Sequence, residues 1–129
     1  MRRRYFDDLL SGGDYTLAPK ILHPDVHHKD MVRDIEYRGV DEIVEYMRQV
    51  KAAYPAFKAH VVDIAFVNGD SVFVAFEGHA AEGMPLFTGV DRFFFDESGK
   101  IVEVNVYRSN WKGAQGHEQR KAEAGTADA

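Results

Sequence analysis

The segment Val90-Asp91-Arg92-Phe93-Phe94-Phe95 is predicted to be the most apolar strand of the chain, and the turn Asp96-Glu97-Ser98-Gly99 follows it directly. Because side chains alternate along a strand, Asp91 shares a face with Phe93 and Phe95. If that face is the core, a carboxyl group lies among aromatic rings and must be hydrogen-bonded, ion-paired or protonated. The alternative is that Asp91 faces solvent and pairs with a neighbouring Arg or Lys.

This segment belongs to a predicted meander of four strands. They are Phe57 to Val67, Ser71 to Ala81, Leu86 to Phe95 and Ile101 to Arg108, and the third contains the segment. Asn68-Gly69-Asp70 is a typical hairpin turn between the first two, and Glu82-Gly83-Met84-Pro85 is predicted as the next turn. A run of strands that follows helices favours an α+β fold with a strongly bent antiparallel sheet.

The N-terminal half is predicted to be mainly helical. Apolar spacing indicates a short helix over Arg2 to Leu10 and the strongest helix over Asp41 to Ala53. Asp14 is expected to cap another helix, which ends at His23-Pro24-Asp25. Two short strands, Val26 to Lys29 and Ile35 to Arg38, are predicted before the long helix.

Composition bounds the kind of protein. The chain has 129 residues, 45% of them hydrophobic, and a net charge of −5. This predicts one globular domain over residues 1–111, closed by Trp111, and a small polar tail over 112–129 that is predicted to be disordered.

The negative charge disfavours nucleic acid and anionic membranes as partners. Without cysteine, disulfides and thiolate sites are excluded. No signal peptide or membrane span is predicted, so we expect a cytoplasmic protein.

Several strands are apolar on both faces, which predicts self-association. Val61, Val62, Ile64 and Phe66 lie in one strand, and Val72, Phe73, Val74 and Phe76 lie in the next. One face of the sheet can cover the helices, whereas the other needs a different cover. We therefore expect a homodimer that forms through the sheet face.

Three stretches together resemble a known superfamily. They are Leu22-His23-Pro24-Asp25-Val26-His27-His28, Tyr37-Arg38-Gly39-Val40-Asp41-Glu42-Ile43, and Thr88-Gly89-Val90-Asp91 with Phe95-Asp96-Glu97-Ser98-Gly99-Lys100-Ile101. The chain resembles the nuclear transport factor 2-like superfamily, including SnoaL-like polyketide cyclases, over roughly residues 5–110. The resemblance implies a cone-shaped α+β fold, in which a bent sheet wraps around N-terminal helices and a deep pocket lies between them.

Ketosteroid isomerase, a member of this superfamily, implies roles for three residues. The resemblance aligns Asp30 with the catalytic base, Asp91 with a protonated acid that donates to an enolate-like oxygen, and Tyr5 with a second donor. The residues alone leave alternatives open. Asp30 could be a solvated loop residue, and Asp91 could form an ion pair with Arg92, Arg108 or Lys100.

The chain also departs from its relatives. Arg108 stands where an apolar aromatic residue would close a steroid pocket, which suggests a smaller or more polar substrate. SnoaL-like cyclases have a key Asp near the position of Ser109, and its absence weakens a cyclase mechanism. If Arg108 is buried, it would either pair with Asp91 and lower the pKa of that carboxyl group or bind a substrate carboxylate.

The histidines are further candidates. Their spacing does not predict a metal site, and no cofactor is expected. His27 and His28 alternate on a strand, so at most one points inward, and an inward His28 could act as an acid or base. His79 would join Asp91 if it faced inward, but a one-residue slip would reverse its direction.

We therefore expect a small cofactor-independent enzyme that catalyses proton transfer, in an isomerisation, dehydration or cyclisation, on a hydrophobic carbonyl compound. The base candidates are Asp30 and His28, and the deeper polar groups are Asp91, Tyr5 and His79. The expected substrate-binding residues are Arg108, Phe93 and Phe76. The alternative is a non-catalytic ligand-binding or dimerisation domain, which an Arg108–Asp91 salt bridge and a pocket filled by Phe side chains would favour.

Overall fold

The computed structural model describes residues 2–67, 69 and 71–108, and the side chains from residue 4 onward. Ser109, Trp111, the predicted tail over 112–129 and the turn residues Asn68 and Asp70 lie outside the described residues. Besides one 3-10 turn, the described chain forms three longer helices and six strands: α1 (Arg2–Ser11), α2 (Ala18–Ile21), β1 (Leu22–Asp30), β2 (Ile35–Arg38), α3 (Gly39–Ala53), β3 (Lys58–Val67), β4 (Ser71–Ala81), β5 (Met84–Phe95) and β6 (Ile101–Arg108). The first of these helices, α1, is a π-helix.

The six strands form one sheet in the order β2-β1-β6-β5-β4-β3. Neighbouring strands are antiparallel except β1 and β6, which run parallel. The α+β prediction is confirmed, and the parallel pair is a difference in strand direction from the expected antiparallel sheet. Because β1 and β6 lie far apart in sequence, no tight turn constrains their relative direction.

The sheet bends around the helices on one side, which we call the inner face. This face carries the apolar residues Val72, Val74, Phe76, Phe93, Val104 and Val106, all buried. Register shifts between Val61 and Asp63, and between Gly78 and Ala81, interrupt the strand pairing. Such bulges bend the strands and strengthen their twist, so the sheet can close around its own helices.

The helices supply the other half of the core through their apolar stripes. α1 buries Tyr5, Phe6, Leu9 and Leu10, and the Phe6 ring centre lies 5.1 Å from that of Phe76. α3 buries Ile43, Met47 and Val50, as their helical spacing predicts. Within the described residues, no helix has the length and apolar character needed to cross a membrane.

The second predicted helix is shorter than expected. A 3-10 turn, Tyr15–Leu17, leads into the four residues of α2. Asp14 precedes this turn, but its side chain makes no capping hydrogen bond to the backbone. Its carboxylate accepts instead from the Thr16 hydroxyl at 2.5 Å, which corrects the prediction of a side-chain cap.

Candidate functional site

The strand register aligns the two candidate carboxylates in one row across the inner face. Asp30 lies opposite Val106 in the β1–β6 pair, and Asp91 lies opposite Val106 in the β5–β6 pair. Since adjacent strands are about 4.8 Å apart, the backbones of Asp30 and Asp91 lie roughly 10 Å apart. His28, two residues before Asp30, lies opposite Val104 on the same face.

Arg108 enters this face because its partner across the strand pair is a glycine. Gly89 lies opposite Arg108, and a Cβ atom on Gly89 would lie only 2.8 Å from Cγ of Arg108. The missing side chain leaves room for the arginine stem. The guanidinium carbon of Arg108 then lies 5.4 Å from the ring centre of Phe76 and 5.2 Å from that of Phe87, within cation–π range.

The guanidinium group of Arg108 connects helix α3 with strand β5. Nη1 donates to the hydroxyl of Tyr46 at 2.5 Å, and Nη2 donates to Oδ2 of Asp91 at 3.4 Å. Burial alone would lower the pKa of Arg108, but the neighbouring Tyr46 and Asp91 raise it above its usual range, so the charge is retained. The contact with Asp91 is longer than the 2.7–2.9 Å typical of charge-assisted hydrogen bonds.

Asp91 is therefore buried but only partly compensated. Its side chain is 0% exposed, and Oδ1 has no hydrogen-bond partner. Burial raises the pKa of Asp91, while the charge and hydrogen bond of Arg108 lower it, and the resulting pKa is about 6. Pairing of Arg108 with Asp91 was one of the two outcomes predicted for a buried Arg108. The pKa of Asp91 is nevertheless raised, because the effect of burial outweighs that of Arg108.

Tyr5 lies beside this pair on α1. Its ring is buried edge-to-face against Phe93, with ring centres 4.9 Å apart. Burial and the negative charge of Asp91 raise the pKa of Tyr5, so its hydroxyl keeps its proton. A buried neutral phenol of this kind can donate a hydrogen bond.

His28 points inward, and its side chain makes no hydrogen bond to another described residue. Its side chain is 2% exposed, and neither Nδ1 nor Nε2 makes a hydrogen bond within the described part of the chain. Its ring packs beside those of Tyr37 and Tyr46, with ring centres at 5.8 and 5.5 Å. Burial and the charge of Arg108 lower the pKa of His28 to about 3, so its imidazole is neutral near pH 7. His27 faces the other way and contacts Glu36 at 2.9 Å, as strand alternation requires.

Asp30 is buried, and both of its carboxylate oxygens accept hydrogen bonds. Its Oδ1 accepts from the backbone N–H groups of Val32 and Arg33 at 3.0 and 2.9 Å, and its Oδ2 accepts from Nε of Arg33 at 2.7 Å. Burial raises the pKa of Asp30, but these hydrogen bonds and the charge of Arg33 hold it below its usual value. At 6% exposure the alternative of a solvated loop residue is wrong. Asp30 is an ionised carboxylate that also holds the turn after β1.

His79 does not join the other candidates. It shares the outer face of β4 with Glu77, whose Oε1 lies 3.3 Å from Nε2 of His79, and its ring centre lies 4.4 Å from that of His60. Asp91 pairs with Val74, which points to the inner face. The prediction that His79 lies with Asp91 is therefore corrected, because strand alternation directs the two side chains to opposite faces.

The two phenylalanines expected to bind substrate form an apolar wall. Phe76 lies under the guanidinium of Arg108, and Phe93 packs against Tyr5 and Phe6. Both are buried in the core. They shape the surroundings of Asp91 and Arg108, and their part in substrate binding stays a prediction.

Sequence reasoning missed Tyr46, Tyr37 and Gly89. Tyr46 lies three residues after Ile43 on the apolar side of α3, and Tyr37 lies opposite His28 in the β1–β2 pair. Gly89 could have been found from the sequence, because it lies two residues before Asp91 and therefore on the same face of the strand. All three act through long-range partners that local patterns do not reveal.

We call the inner-face group the polar cluster. It consists of Tyr5, His28, Asp30, Tyr46, Asp91 and Arg108. The cluster joins a carboxyl group with a pKa of about 6, an ionised carboxylate, a permanent cation, two phenols and a neutral imidazole. Among the described residues, no group of three or more potential ligands is arranged to hold a metal ion. This combination of groups is suited to proton transfer and to binding a polarised oxygen.

Known proteins share this fold. A steroid delta-isomerase from Pseudomonas aeruginosa is 24% identical, with a TM-score of 0.62, and the match covers 94% of this chain and 88% of that chain. A protein from Sinorhizobium meliloti, provisionally assigned as a polyketide cyclase, is 23% identical with a TM-score of 0.65, over 79% of this chain and 88% of that one. A protein of unknown function with a cystatin-like fold from Methylobium petroleophilum is 15% identical with a TM-score of 0.71, over 84% and 72%.

The structural likenesses establish the nuclear transport factor 2-like cone fold predicted from the sequence. No curated protein gives a significant sequence match. The sequence profile of the SnoaL-like domain matches residues 3–104, which include all of the polar cluster except Arg108. The chain therefore belongs to the SnoaL-like domain family.

Proposed function

We propose that this protein is an enzyme that transfers protons on a small carbonyl compound, with Asp91 as the acid–base group and Arg108 as the group that stabilises the oxyanion. The observation that carries the proposal is the free Oδ1 of Asp91, buried beside a buried guanidinium group. A carboxyl group with a pKa of about 6 can both accept and return a proton near neutral pH.

The pair can exchange its charge during the reaction. Asp91 would accept a proton from the carbon next to the carbonyl group, and the electrons of that C–H bond would form a C=C bond while the carbonyl oxygen becomes an enolate. Once Asp91 is neutral, the charge of Arg108 is no longer balanced by the carboxylate and can stabilise the enolate oxygen. Return of the proton to another carbon gives isomerisation, and its transfer to a leaving hydroxyl group gives dehydration.

The geometry favours Asp91 over Asp30 as the base. Both oxygens of Asp30 already accept hydrogen bonds from the turn that follows β1, and the pKa of Asp30 is lowered. Asp30 is better suited to hold a fixed negative charge, which raises the pKa of Asp91 further. The steroid delta-isomerase of similar fold is named for an isomerisation, which is compatible with this proposal.

A direct test follows hydrogen–deuterium exchange at the α-carbons of the ketone 2-tetralone by NMR in D2O. We expect the wild-type protein to accelerate exchange, with a rate that rises with pH to a plateau above about 6 as Asp91 loses its proton. Asp91→Asn and Arg108→Gln should each slow exchange by roughly a hundredfold, the scale of one acid–base or oxyanion-binding group.

The matched control is Arg92→Gln, since Arg92 neighbours Asp91 in sequence but binds Ser71 Oγ at 3.1–3.2 Å. This control should keep the wild-type rate, and circular dichroism should show that all variants are folded. Undiminished exchange in a folded Asp91→Asn variant would exclude Asp91 as the acid–base group.

A second candidate function is ligand binding without catalysis. The Arg108–Asp91 ion pair and the packing of Phe76 and Phe93 in the core are the features that favour it. This alternative predicts that 2-tetralone or a related compound binds, while the wild-type protein does not accelerate exchange at its α-carbons.

A further inference from the structure

We infer that His28 recognises a second oxygen function of the substrate, so that the polar cluster takes an apolar compound with an oxygen at each end. One oxygen would be the carbonyl group held by Arg108, and the other would be a neutral hydroxyl or carbonyl group bound by His28. This inference rests on the proposed function, because it adds the substrate class to the same site.

The unpartnered nitrogens of His28 carry the inference. A buried imidazole ordinarily has at least one ring nitrogen hydrogen-bonded, since an unsatisfied buried polar atom is costly. In His28 neither Nδ1 nor Nε2 is hydrogen-bonded to another described residue, and the residue is 2% exposed. A structural histidine of the core would be expected to bond to a neighbour, whereas one that binds a ligand keeps its nitrogens available.

The residues that pack against the His28 ring do not form hydrogen bonds with its nitrogens. Tyr37 and Tyr46 contact it through their rings, and these two rings lie 4.8 Å apart. Tyr46 uses its hydroxyl to accept a hydrogen bond from Arg108. Aromatic walls therefore orient the imidazole, and the same tyrosine connects it with the cation at the other end of the cluster.

The floor between the two ends is apolar. His28 lies on β1 and Asp91 on β5, with β6 between them, and the inward residues of β6 there are Val104 and Val106. His28 lies opposite Val104 and Asp91 lies opposite Val106, so two strand spacings and a two-residue offset along the strands place the two backbones roughly 12 Å apart. A ligand that reaches both ends would therefore have an apolar body with its polar groups at opposite ends.

The charge state of His28 limits the chemical class of the second oxygen group that it can bind. A neutral imidazole has one N–H donor and one acceptor nitrogen, which suits a hydroxyl or carbonyl group. Burial and the nearby guanidinium of Arg108 keep His28 neutral, with a pKa of about 3. A carboxylate at this end would need a cation, and His28 does not supply one near pH 7.

The test compares two stable enol analogues by isothermal titration calorimetry: 2-naphthol, with one hydroxyl group, and 2,6-dihydroxynaphthalene, with one at each end. We expect the wild-type protein to bind the diol about tenfold more tightly, the scale of one added hydrogen bond. His28→Phe should bind both compounds equally. His28→Gln, which keeps a neutral donor and acceptor, should recover part of the preference.

The control variant is His27→Phe, which changes the adjacent histidine on the opposite face of β1 and should keep the full preference for the diol. A second readout is the ¹⁵N chemical shift of the His28 ring, which should move when the diol binds and stay constant with 2-naphthol. A merely structural histidine would show neither response.

The outcomes separate this inference from the proposed function. If the diol preference is the same in the wild type and in His28→Phe, the inference is wrong, even where 2-tetralone exchange still depends on Asp91. If neither naphthol binds to the folded wild-type protein, the two-ended ligand is excluded. If exchange is absent but the preference depends on His28, the proton-transfer function fails and the ligand class stands.

Discussion

Two buried side chains of the polar cluster respond to acid in opposite directions. His28 has a folded-state pKa of about 3 against an ordinary 6.5, and Asp91 has a pKa of about 6 against an ordinary 3.8. Below pH 6.5 the unfolded chain binds a proton at His28 that the folded chain refuses, so acid destabilises the fold. Between pH 6 and 3.8 the folded chain binds a proton at Asp91 that the unfolded chain does not, so acid stabilises it.

This opposition predicts that His28→Gln resists acid better than the wild type. One pKa unit corresponds to about 1.4 kcal/mol. When the pH falls from 7 to 4.5, the free energy of unfolding of the wild type should therefore decrease by about 3 kcal/mol more than that of His28→Gln. Urea unfolding at both pH values measures this shift. Asp91→Asn should change the pH dependence in the opposite sense, and equal pH dependence in His28→Gln and the wild type would contradict the prediction.

At the same scale, single-residue patterns predicted where polar groups sit better than what they contact. Strand alternation placed Asp91 with Phe93 and allowed only one of His27 and His28 to point inward. It could not place His79, because one slip of register reverses a side chain. The bond from Arg108 to Tyr46 joins residues 62 positions apart, and no local pattern carries such a contact.

At the scale of elements, the pairing of β5 with β6 depends on a glycine. Gly89 leaves the space that the Arg108 stem occupies, and a Cβ atom there would also lie 3.3 Å from the carbonyl oxygen of Tyr107. Gly89→Ala should therefore displace the guanidinium group, slow 2-tetralone exchange and lower the free energy of unfolding by roughly 1–3 kcal/mol, the usual cost of overpacking.

A double-mutant cycle isolates the cause of that loss. In an Arg108→Ala background, which lacks the Cγ atom, Gly89→Ala should cost much less stability than in the wild type. An equal cost in both backgrounds would mean that the strand backbone, and not the arginine, limits the space. Urea unfolding of the four proteins supplies all the values required.

The strands of the meander and helix α3 could be predicted because their signals are local. Apolar spacing marked α3 to its observed end at Ala53, and polar turns separated the strands. The start of β1 at Leu22 was missed, since His23, Pro24 and Asp25 are poor strand formers. Tertiary pairing with β6, interrupted by a register shift after Leu22, holds that segment extended.

At the scale of the whole molecule, helices followed by strands indicated the α+β class, and motif resemblance indicated the cone fold. The parallel β1–β6 pair was not predictable from local patterns, because strand direction is determined there by long-range packing. The same limit applies to the cluster, whose residues come from α1, α3, β1, β5 and β6. Their meeting point depends on the bent sheet and not on any one segment.

We propose that the homodimer predicted from the sequence forms through the outer face of the sheet. Val62, Val90 and Tyr107 are exposed there and line a shallow depression of about 390 Å³ together with Ala75. Exposed apolar residues that adjoin one another on a sheet are typical of an interface between protein chains. A second copy of the same face would cover them with a self-complementary surface, as in most two-fold dimers.

Two matched valines test the dimer. Val62 is 66% exposed and lines the depression, whereas Val32 is 61% exposed in the turn after β1. Since a buried unpaired carboxylate is costly, Val62→Glu should convert the dimer to a monomer, while Val32→Glu should leave it intact. Sedimentation velocity over a range of protein concentrations measures both. A monomeric wild type, or a Val62→Glu variant that dimerises as tightly as Val32→Glu, would show that this face is not the interface.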